Sequence, residues 1–185
     1  MQKTLSRKTL TWLARAGLLM LGLGLLWAAE EAPPGIKVGT KAPEFTLQDH
    51  QGKTYKLQDY RGKKIVLLDF GRFTCLPCRF VVQDLQELHR KYKDQGVQIF
   101  SINLDGPWAA QAVPKGIEEF KLTFPVLLDK DFKVAQSYRI ETIPFLVLID
   151  LQGVVRYTHL GYDKQLPKWL SAQFEKYRPK KKAGK

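Results

Sequence analysis

The segment FGRFTCLPCRF, residues 70–80, contains both cysteines of the chain, Cys75 and Cys78. Two thiols three positions apart could be a redox pair, half of a metal site, a structural disulfide or inert packing residues. The run KIVLLDF, residues 64–70, precedes them, and its continuous apolar character predicts a buried strand. Apolar residues recur at helical spacing over residues 79–95, which predicts a long helix directly after the cysteines.

The first cysteine therefore stands between a buried strand and the N-terminus of a helix. Such a terminus presents unpaired N–H groups and partial positive charge, which stabilise a thiolate and lower the thiol pKa to roughly 3.5–7.5. A two-residue gap places the second thiol one turn along, close enough to attack a mixed disulfide. Pro77 is tolerated in a first helical turn, and Arg72 and Arg79 add positive charge on either side. This context favours a redox pair over a structural disulfide.

A metal site finds little support in the sequence. A structural zinc ion would need more ligands than two cysteines. The three histidines, His50, His89 and His159, show no ligand spacing and are predicted as surface or packing residues, with His89 on the flank of the helix. We therefore predict no metal and no cofactor other than the redox-active cysteine pair.

Charge is concentrated at the two ends of the 185-residue chain. The formal net charge is +12, but ten of the 30 Lys and Arg residues lie in the first 15 residues or after residue 175. The body between them is only mildly basic, so nothing predicts nucleic-acid binding. The basic tail at residues 178–185 is predicted to be solvated and disordered, with attraction to anionic lipid headgroups as the sharper alternative.

The first 29 residues resemble a targeting segment. Basic residues precede the apolar run 16–29, which is 14 residues long; signal-peptide cores have about 7–15 residues and spanning helices roughly 17–25. Cleavage after Ala29 would place bulky Trp27 where a small residue is required, so we favour an uncleaved signal-anchor over a cleaved signal peptide. Because the basic residues stay in the cytoplasm, the rest is predicted on the extracytoplasmic, periplasmic side of the cell membrane, or as a secreted or periplasmic protein if cleavage occurs.

Beyond a short linker at residues 30–36, residues 37–177 predict one domain of ordinary size. Strands are predicted at residues 45–48, 53–57, 64–70, 97–103, 124–129, 145–149 and 154–160. Helices are predicted at residues 79–95, 107–120, 132–138 and 164–177. Strands that alternate with helices and end in a hairpin predict an α/β fold, with a central mixed sheet flanked by helices on both faces.

Three further stretches, together with the cysteine motif, resemble the thioredoxin superfamily, specifically its exported TlpA-like/redoxin branch, which is related to the AhpC/TSA proteins. VGTKAPEFTLQDHQGKTYKLQDYRGKKIVLLDF, from Val38, is similar to the N-terminal β extension and first core strand of that branch. FKLTFPVLLDKDFKVAQSYRI, from Phe120, resembles its helical insertion and the helix after it, and ETIPFLVLIDLQGVVRY, from Glu141, its cis-proline strand and final hairpin. The resemblance implies a thioredoxin-like fold over nearly the whole domain.

The resemblance also implies roles for individual residues. Cys75 would be the nucleophile and Cys78 the resolving thiol, and the Ile143–Pro144 bond would be cis. Asp69 lies where thioredoxins keep a buried acid that takes the proton of the second thiol; burial should raise its pKa. A simpler reading is that Asp69 only bonds a nearby amide. The substrate chain would contact Leu76, Pro77, Thr142, Ile143 and Pro144.

This sequence departs from the family at Gly71 and Thr74, where tryptophan is usual. These departures predict a change in substrate docking and in the reduction potential, and Phe73 is a candidate to supply part of the missing apolar surface.

The activity implied is that of a membrane-anchored thiol–disulfide oxidoreductase that acts on protein thiols and disulfides. Its partner would be an electron-donor or acceptor protein in the membrane, and family analogy suggests disulfide reduction for substrates such as apocytochrome c. One alternative is a peroxiredoxin-type peroxidase, although Leu68 and Arg72 replace the Pro and Thr of those enzymes. Others are a copper-binding assembly protein, which would have a wider CxxxC and a histidine in place of Pro144, and a non-catalytic interaction module.

Overall fold

The computed structural model describes residues 34–180. The predicted signal-anchor at residues 1–29, most of the linker and the end of the basic tail lie outside these residues. Within residues 34–180, no helix combines the length and the apolar character needed to span a membrane. The first described residues pack onto the domain, because Gly35 donates its N–H to the carbonyl of Arg139 at 3.0 Å and Ile36 is buried. The predicted division between linker and domain stays a prediction.

Seven strands and four α-helices build the domain. In chain order they are β1 (Thr46–Gln48), β2 (Thr54–Lys56), β3 (Ile65–Gly71), α1 (Leu76–Tyr92), β4 (Val97–Asn103), α2 (Ala109–Phe120), β5 (Val126–Leu128), α3 (Lys133–Ser137), β6 (Phe145–Ile149), β7 (Val155–Leu160) and α4 (Leu166–Tyr177). Short 3₁₀ turns occupy Leu57–Tyr60 and Gly106–Trp108. The β1–β2 hairpin is the predicted N-terminal extension. The stretch from Phe120 that resembles the insertion and the helix after it contains the last residue of α2, then β5 and α3.

The central sheet has the strand order β5-β4-β3-β6-β7. Strands β3, β4 and β5 run parallel, whereas β6 is antiparallel to β3 and β7 is antiparallel to β6. The predicted mixed sheet is confirmed. The central strands of this sheet are buried on both faces, which is why they are mostly apolar.

Successive side chains of the central strand β3 point to opposite faces of the sheet and pack into two hydrophobic cores. Ile65 and Leu67 pack with apolar residues of α1, α2 and α4. Val66, Leu68 and Phe70 point the other way, towards α3 and the hairpin segment. The same alternation places Asp69 and Gly71 on the side of α1, which is the helix that carries the second cysteine.

Helix α1 begins three residues earlier than the apolar periodicity predicts. It starts at Leu76 because Cys75 caps it and Pro77 lies in its first turn, where the missing N–H of proline costs no hydrogen bond. It ends at Tyr92, and Gly96 then adopts a φ of 79°, which only glycine accepts readily. The predicted helix over residues 107–120 begins later than expected, at Ala109, because Pro107 and Trp108 belong to the 3₁₀ turn Gly106–Trp108.

Candidate active site

Cys75 is the N-cap residue of α1. Its backbone is extended, with φ −94° and ψ 116°, and its Sγ accepts a hydrogen bond from the N–H of Cys78 at 3.3 Å. The two cysteines form a disulfide. Free N–H groups at the start of a helix favour negative charge on a nearby atom, so the position suits a thiolate on Cys75 once the disulfide is reduced.

The two sulfur-bearing residues differ in their access to solvent. Cys78 is buried, with 1% of its surface exposed, whereas Cys75 is partly exposed. Leu76, between them, is 64% exposed, and Pro77 is exposed as well. A second protein can therefore approach Cys75, while Cys78 is placed to react only with a group already bound at Cys75.

Asp69 lies at the end of the central strand and is fully buried. Its Oδ2 accepts a hydrogen bond from the Ser101 hydroxyl at 3.2 Å, across the β3–β4 pair. Its Oδ1 has no hydrogen-bond partner among the described residues. Burial raises the pKa of Asp69 to about 7, and the bond from Ser101 opposes part of that rise. The partner of the carboxyl is thus a hydroxyl rather than the amide of the simpler reading.

Gly71 separates Asp69 from the buried cysteine. A Cβ atom added to Gly71 would lie 3.5 Å from Cys78 Sγ and 3.8 Å from Asp69 Oδ1. The carboxyl and the thiol therefore border the same space, which exists because residue 71 has no side chain. A tryptophan here would have to begin in that space, 3.4 Å from Cys78 Cβ. Gly71, which departs from the family pattern, therefore lies within contact distance of both Asp69 and Cys78.

The Ile143–Pro144 peptide bond is cis. Phe145 is paired with Phe70 in the sheet, so Pro144 lies beside Gly71 at the same sheet edge. The carbonyl of Pro144 accepts the N–H of Gly161 at 2.8 Å. Thr142 is exposed and Ile143 is partly exposed, and no other described residue forms a hydrogen bond with the Ile143 backbone. The segment thus offers free backbone groups next to the cysteines.

Two exposed apolar side chains, Leu76 and Phe80, lie on α1 close in sequence to Cys75. Phe80, on α1, is 42% exposed, and its ring centroid lies 5.3 Å from that of Tyr162. Arg79 forms an ion pair with Glu119 of α2, so this guanidinium is neutralised by a neighbouring carboxylate. Of the two arginines beside the cysteines, Arg72 is exposed and Arg79 is paired.

The model of the AhpC/TSA family matches residues 38–158. The chain belongs to the AhpC/TSA family. It is 38% identical over 121 residues to the thiol-disulfide oxidoreductase ResA of Geobacillus kaustophilus, covering 65% of this chain and 68% of that protein. It is 33% identical over 144 residues to ResA of Bacillus cereus, covering 78% of this chain and 80% of that protein.

Solved structures agree with this AhpC/TSA assignment. The thioredoxin domain of a thiol-disulfide oxidoreductase from Bacteroides vulgatus superposes with a TM-score of 0.65 at 29% identity, covering 75% of this chain and 98% of that one. A thiol:disulfide interchange protein from Bacteroides sp. gives 0.64 at 28% identity, covering 74% and 90%. The thioredoxin-like fold is confirmed, and this AhpC/TSA protein is a thiol–disulfide oxidoreductase with a redox-active CxxC pair.

The other titratable groups of this AhpC/TSA domain do not form a metal site. Within residues 34–180, no three His, Cys, Asp or Glu side chains are grouped so that they could hold a metal ion. His89 was predicted on the helix flank, but it is nearly buried and its ring lies 5.7 Å from that of Phe124. Burial is also the main reason why its pKa is lowered.

Sequence reasoning missed one residue that contacts the loop of residues 72–75, between β3 and α1, which is called the cysteine loop below. Asp105 follows β4 and accepts hydrogen bonds from the N–H of Phe73 and from the hydroxyl of Thr74. The available signal was weak: Asn103 ends the buried strand β4, which is parallel to β3, and Asp105 follows it. Since adjacent parallel strands end at the same sheet edge, such residues reach the loop that follows the neighbouring strand.

Proposed function

We propose that the protein is a membrane-anchored, extracytoplasmic enzyme that reduces disulfides in other proteins, with Cys75 as nucleophile and Cys78 as resolving thiol. The observation that carries the proposal is the contrast between a reachable sulfur at the N-terminus of α1 and a buried one directly behind it. That order of access matches the order of the two chemical steps.

In the first step, the Cys75 thiolate attacks one sulfur of a substrate disulfide. A mixed disulfide forms and the other substrate sulfur leaves as a thiolate. In the second step, Cys78 attacks Cys75 Sγ, which releases the second substrate thiolate and leaves the Cys75–Cys78 disulfide. Two electrons pass from the enzyme to the substrate, so a membrane electron-donor protein is needed to restore the dithiol.

Asp69 is proposed as the proton acceptor for Cys78 in the second step. Its unpartnered Oδ1 borders the same gap as Cys78 Sγ, and one water molecule can relay a proton between such groups. A pKa of about 7 lets the carboxyl both accept and release a proton near neutral pH. Both the position of the Asp69 carboxyl and its pKa fit the role of proton acceptor.

The substrate chain is proposed to dock across the cysteine loop and the cis-proline segment. On one side lie Leu76 and Pro77, which are exposed. On the other lies the Thr142–Pro144 segment, whose Ile143 backbone groups can pair with an extended peptide. Docking there would align a substrate sulfur with the accessible Cys75.

The location and the physiological role rest on the N-terminal sequence and on family analogy. We propose an anchor at residues 1–29, a linker at residues 30–36, the redox domain at residues 37–177 and a basic tail at residues 178–185. Proteins that are named thiol-disulfide oxidoreductase ResA are among the relatives, and by analogy the proposed process is cytochrome c maturation. Fractionation of cells that express the full chain should place it in the membrane, accessible to protease only from the extracytoplasmic side.

A substrate-trapping pair of variants tests the chemistry. Cys78→Ser keeps the nucleophile and lacks the resolving thiol, so it should accumulate a mixed disulfide with a disulfide-bonded test protein on non-reducing gels. Cys75→Ser keeps only the buried thiol and should form none and reduce none. Full disulfide reduction by Cys75→Ser would refute the proposal.

The redox direction needs a separate measurement. A Cys75–Cys78 reduction potential near that of thioredoxin, roughly −270 mV, is expected for a reductase, whereas a value near −120 mV would indicate an oxidant. Peroxide consumption without disulfide reductase activity would instead favour the peroxidase alternative. Tight Cu(I) binding that needs both thiols would favour the copper-binding alternative.

A further inference from the structure

A buried carboxylate holds the loop that leads into the nucleophile. Asp105 is 6% exposed. Its Oδ2 accepts the N–H of Phe73 at 3.0 Å, and its Oδ1 accepts the hydroxyl of Thr74 at 2.9 Å. The Asn103 amide donates to Oδ2 at 2.7 Å, and Asn103 Oδ1 accepts the N–H of Asp105 at 3.1 Å. Asn103 therefore orients the Asp105 carboxylate, and the carboxylate in turn binds Phe73 and Thr74 of the cysteine loop.

The Phe73 side chain anchors the same loop from a second direction. A Cβ added to Gly116 of α2 would lie 2.3 Å from a Phe73 ring carbon, so the ring rests directly on the helix backbone. The ring is also stacked with Phe120, with centroids 6.2 Å apart. Phe73 is therefore held by packing as well as by its hydrogen bond to Asp105. Thr74, the residue directly before Cys75, is held by Asp105 through its hydroxyl group.

We propose that Asp105 is a positioning residue for Cys75. Through its bond to Thr74, it holds the residue before the nucleophile in the conformation in which the Cys75–Cys78 disulfide closes, and thereby stabilises the disulfide relative to the dithiol. This inference rests on the proposed function only in taking these two thiols as the exchanging pair. Thr74 replaces the tryptophan that is usual in the family, and its hydroxyl group provides the contact with Asp105.

The two redox states should depend on this contact to different degrees. In the oxidised protein the disulfide itself ties Cys75 to α1, so loss of the Thr74 bond frees the loop little. In the reduced protein that tie is absent, and the loop gains more conformational freedom when the bond is lost. Fixing the backbone of one residue is worth about a factor of ten in an equilibrium constant. Loss of the contact should therefore favour the dithiol by about 10-fold.

The test compares Thr74→Val, which keeps the shape and removes the hydroxyl, with Thr74→Ser, which keeps the hydroxyl. The full chain is equilibrated with defined ratios of reduced and oxidised glutathione, and the dithiol fraction is read from the mass shift after maleimide labelling. Two glutathione thiols and the protein disulfide give the dithiol and one glutathione disulfide. We expect an equilibrium shifted about 10-fold towards the dithiol in Thr74→Val, and Thr74→Ser within about 2-fold of the wild type.

A double-mutant cycle assigns the effect to Asp105. In an Asp105→Ala background, Thr74→Val should shift the equilibrium by much less than in the wild type, because the acceptor of the bond is already absent. If Asp105→Ala does not fold, the two Thr74 variants decide alone.

Two results would overturn the inference. One is an unchanged glutathione equilibrium in Thr74→Val, with both redox states destabilised equally towards urea, which would mark the contact as merely structural. The other is an equal shift in Thr74→Ser. The failure of the proposed function is seen separately, as disulfide reduction that survives Cys75→Ser, because the glutathione equilibrium requires no substrate protein.

Discussion

Replacing Asp69 with asparagine should make the oxidised protein more stable at alkaline pH. The side chain is completely buried and one of its oxygens has no partner among the described residues, so ionisation leaves a poorly compensated charge in the core. Asparagine has nearly the same size, and its carbonyl can still accept the hydroxyl of Ser101. The substitution therefore removes the ionisation and little else.

The size of the effect follows from the pKa of Asp69, which burial raises from its ordinary 3.8 to about 7. A tenfold difference in proton affinity between folded and unfolded states is worth about 1.36 kcal/mol. A pKa difference of about 3 thus costs the wild type about 4 kcal/mol of stability once the carboxyl is ionised in both states. The bond from Ser101 already opposes part of this cost.

The sign follows from proton counting. Between pH 3.8 and about 7, the folded protein holds the Asp69 proton that the unfolded chain has released. Stability of the wild type therefore falls as the pH rises through this window and levels off above it. Because Asp69→Asn does not titrate, its advantage should grow from near zero at about pH 4 to about 4 kcal/mol at about pH 8.

Urea unfolding of both oxidised proteins at several pH values between 4 and 8 measures this difference. Asp94→Asn is the matched control, since Asp94 is exposed and its carboxyl carries no comparable burial cost. An advantage of Asp69→Asn that is the same at every pH would refute the reasoning, because it would show that the folded state does not retain the proton. A variant less stable than the wild type at pH 8 would refute it as well.

Two further substitutions test contacts made by α2 and α1. Gly116→Ala would place a methyl group 2.3 Å from the Phe73 ring and should cost about 1–3 kcal/mol in urea unfolding, whereas Lys115→Ala on the same helix should cost less than about 0.5 kcal/mol. Gln86→Leu removes the oxygen that accepts the N–H of Thr123 at 2.9 Å and should cost about 1–3 kcal/mol; a thermal midpoint equal to that of the wild type would contradict this.

The central strands could be predicted closely from the sequence. β4 and β6 have the predicted bounds, and β3 is displaced by one residue. β3 and β6 are largely apolar runs, as expected for strands buried on both faces, and β4 is rich in β-branched and aromatic residues. The start of α1 was misplaced by three residues. Its first turn contains Leu76, Pro77 and Cys78, whose pattern lacks the apolar periodicity of the later turns, and the boundary is decided by the cap at Cys75.

The residues of the candidate site also differ in how well the sequence predicts them. Cys75 and Cys78 lie in a short motif whose redox chemistry is readable from spacing and from the flanking residues, whereas the role of Pro144 was implied by the resemblance to the thioredoxin superfamily. Asp105 was not recognised, because its contact with Thr74 joins residues 31 positions apart through a loop whose path depends on the packing of α2.

Residue spacing and local apolar pattern are enough to predict the CxxC pair, the buried strands and the alternation of strands and helices. The approach of Gly71 to both Asp69 and Cys78, and the contact of Asp105 with the cysteine loop, appear only in the folded chain. Both arise where β3 and β4 end side by side against α1, so they depend on register and close packing between segments distant in the chain.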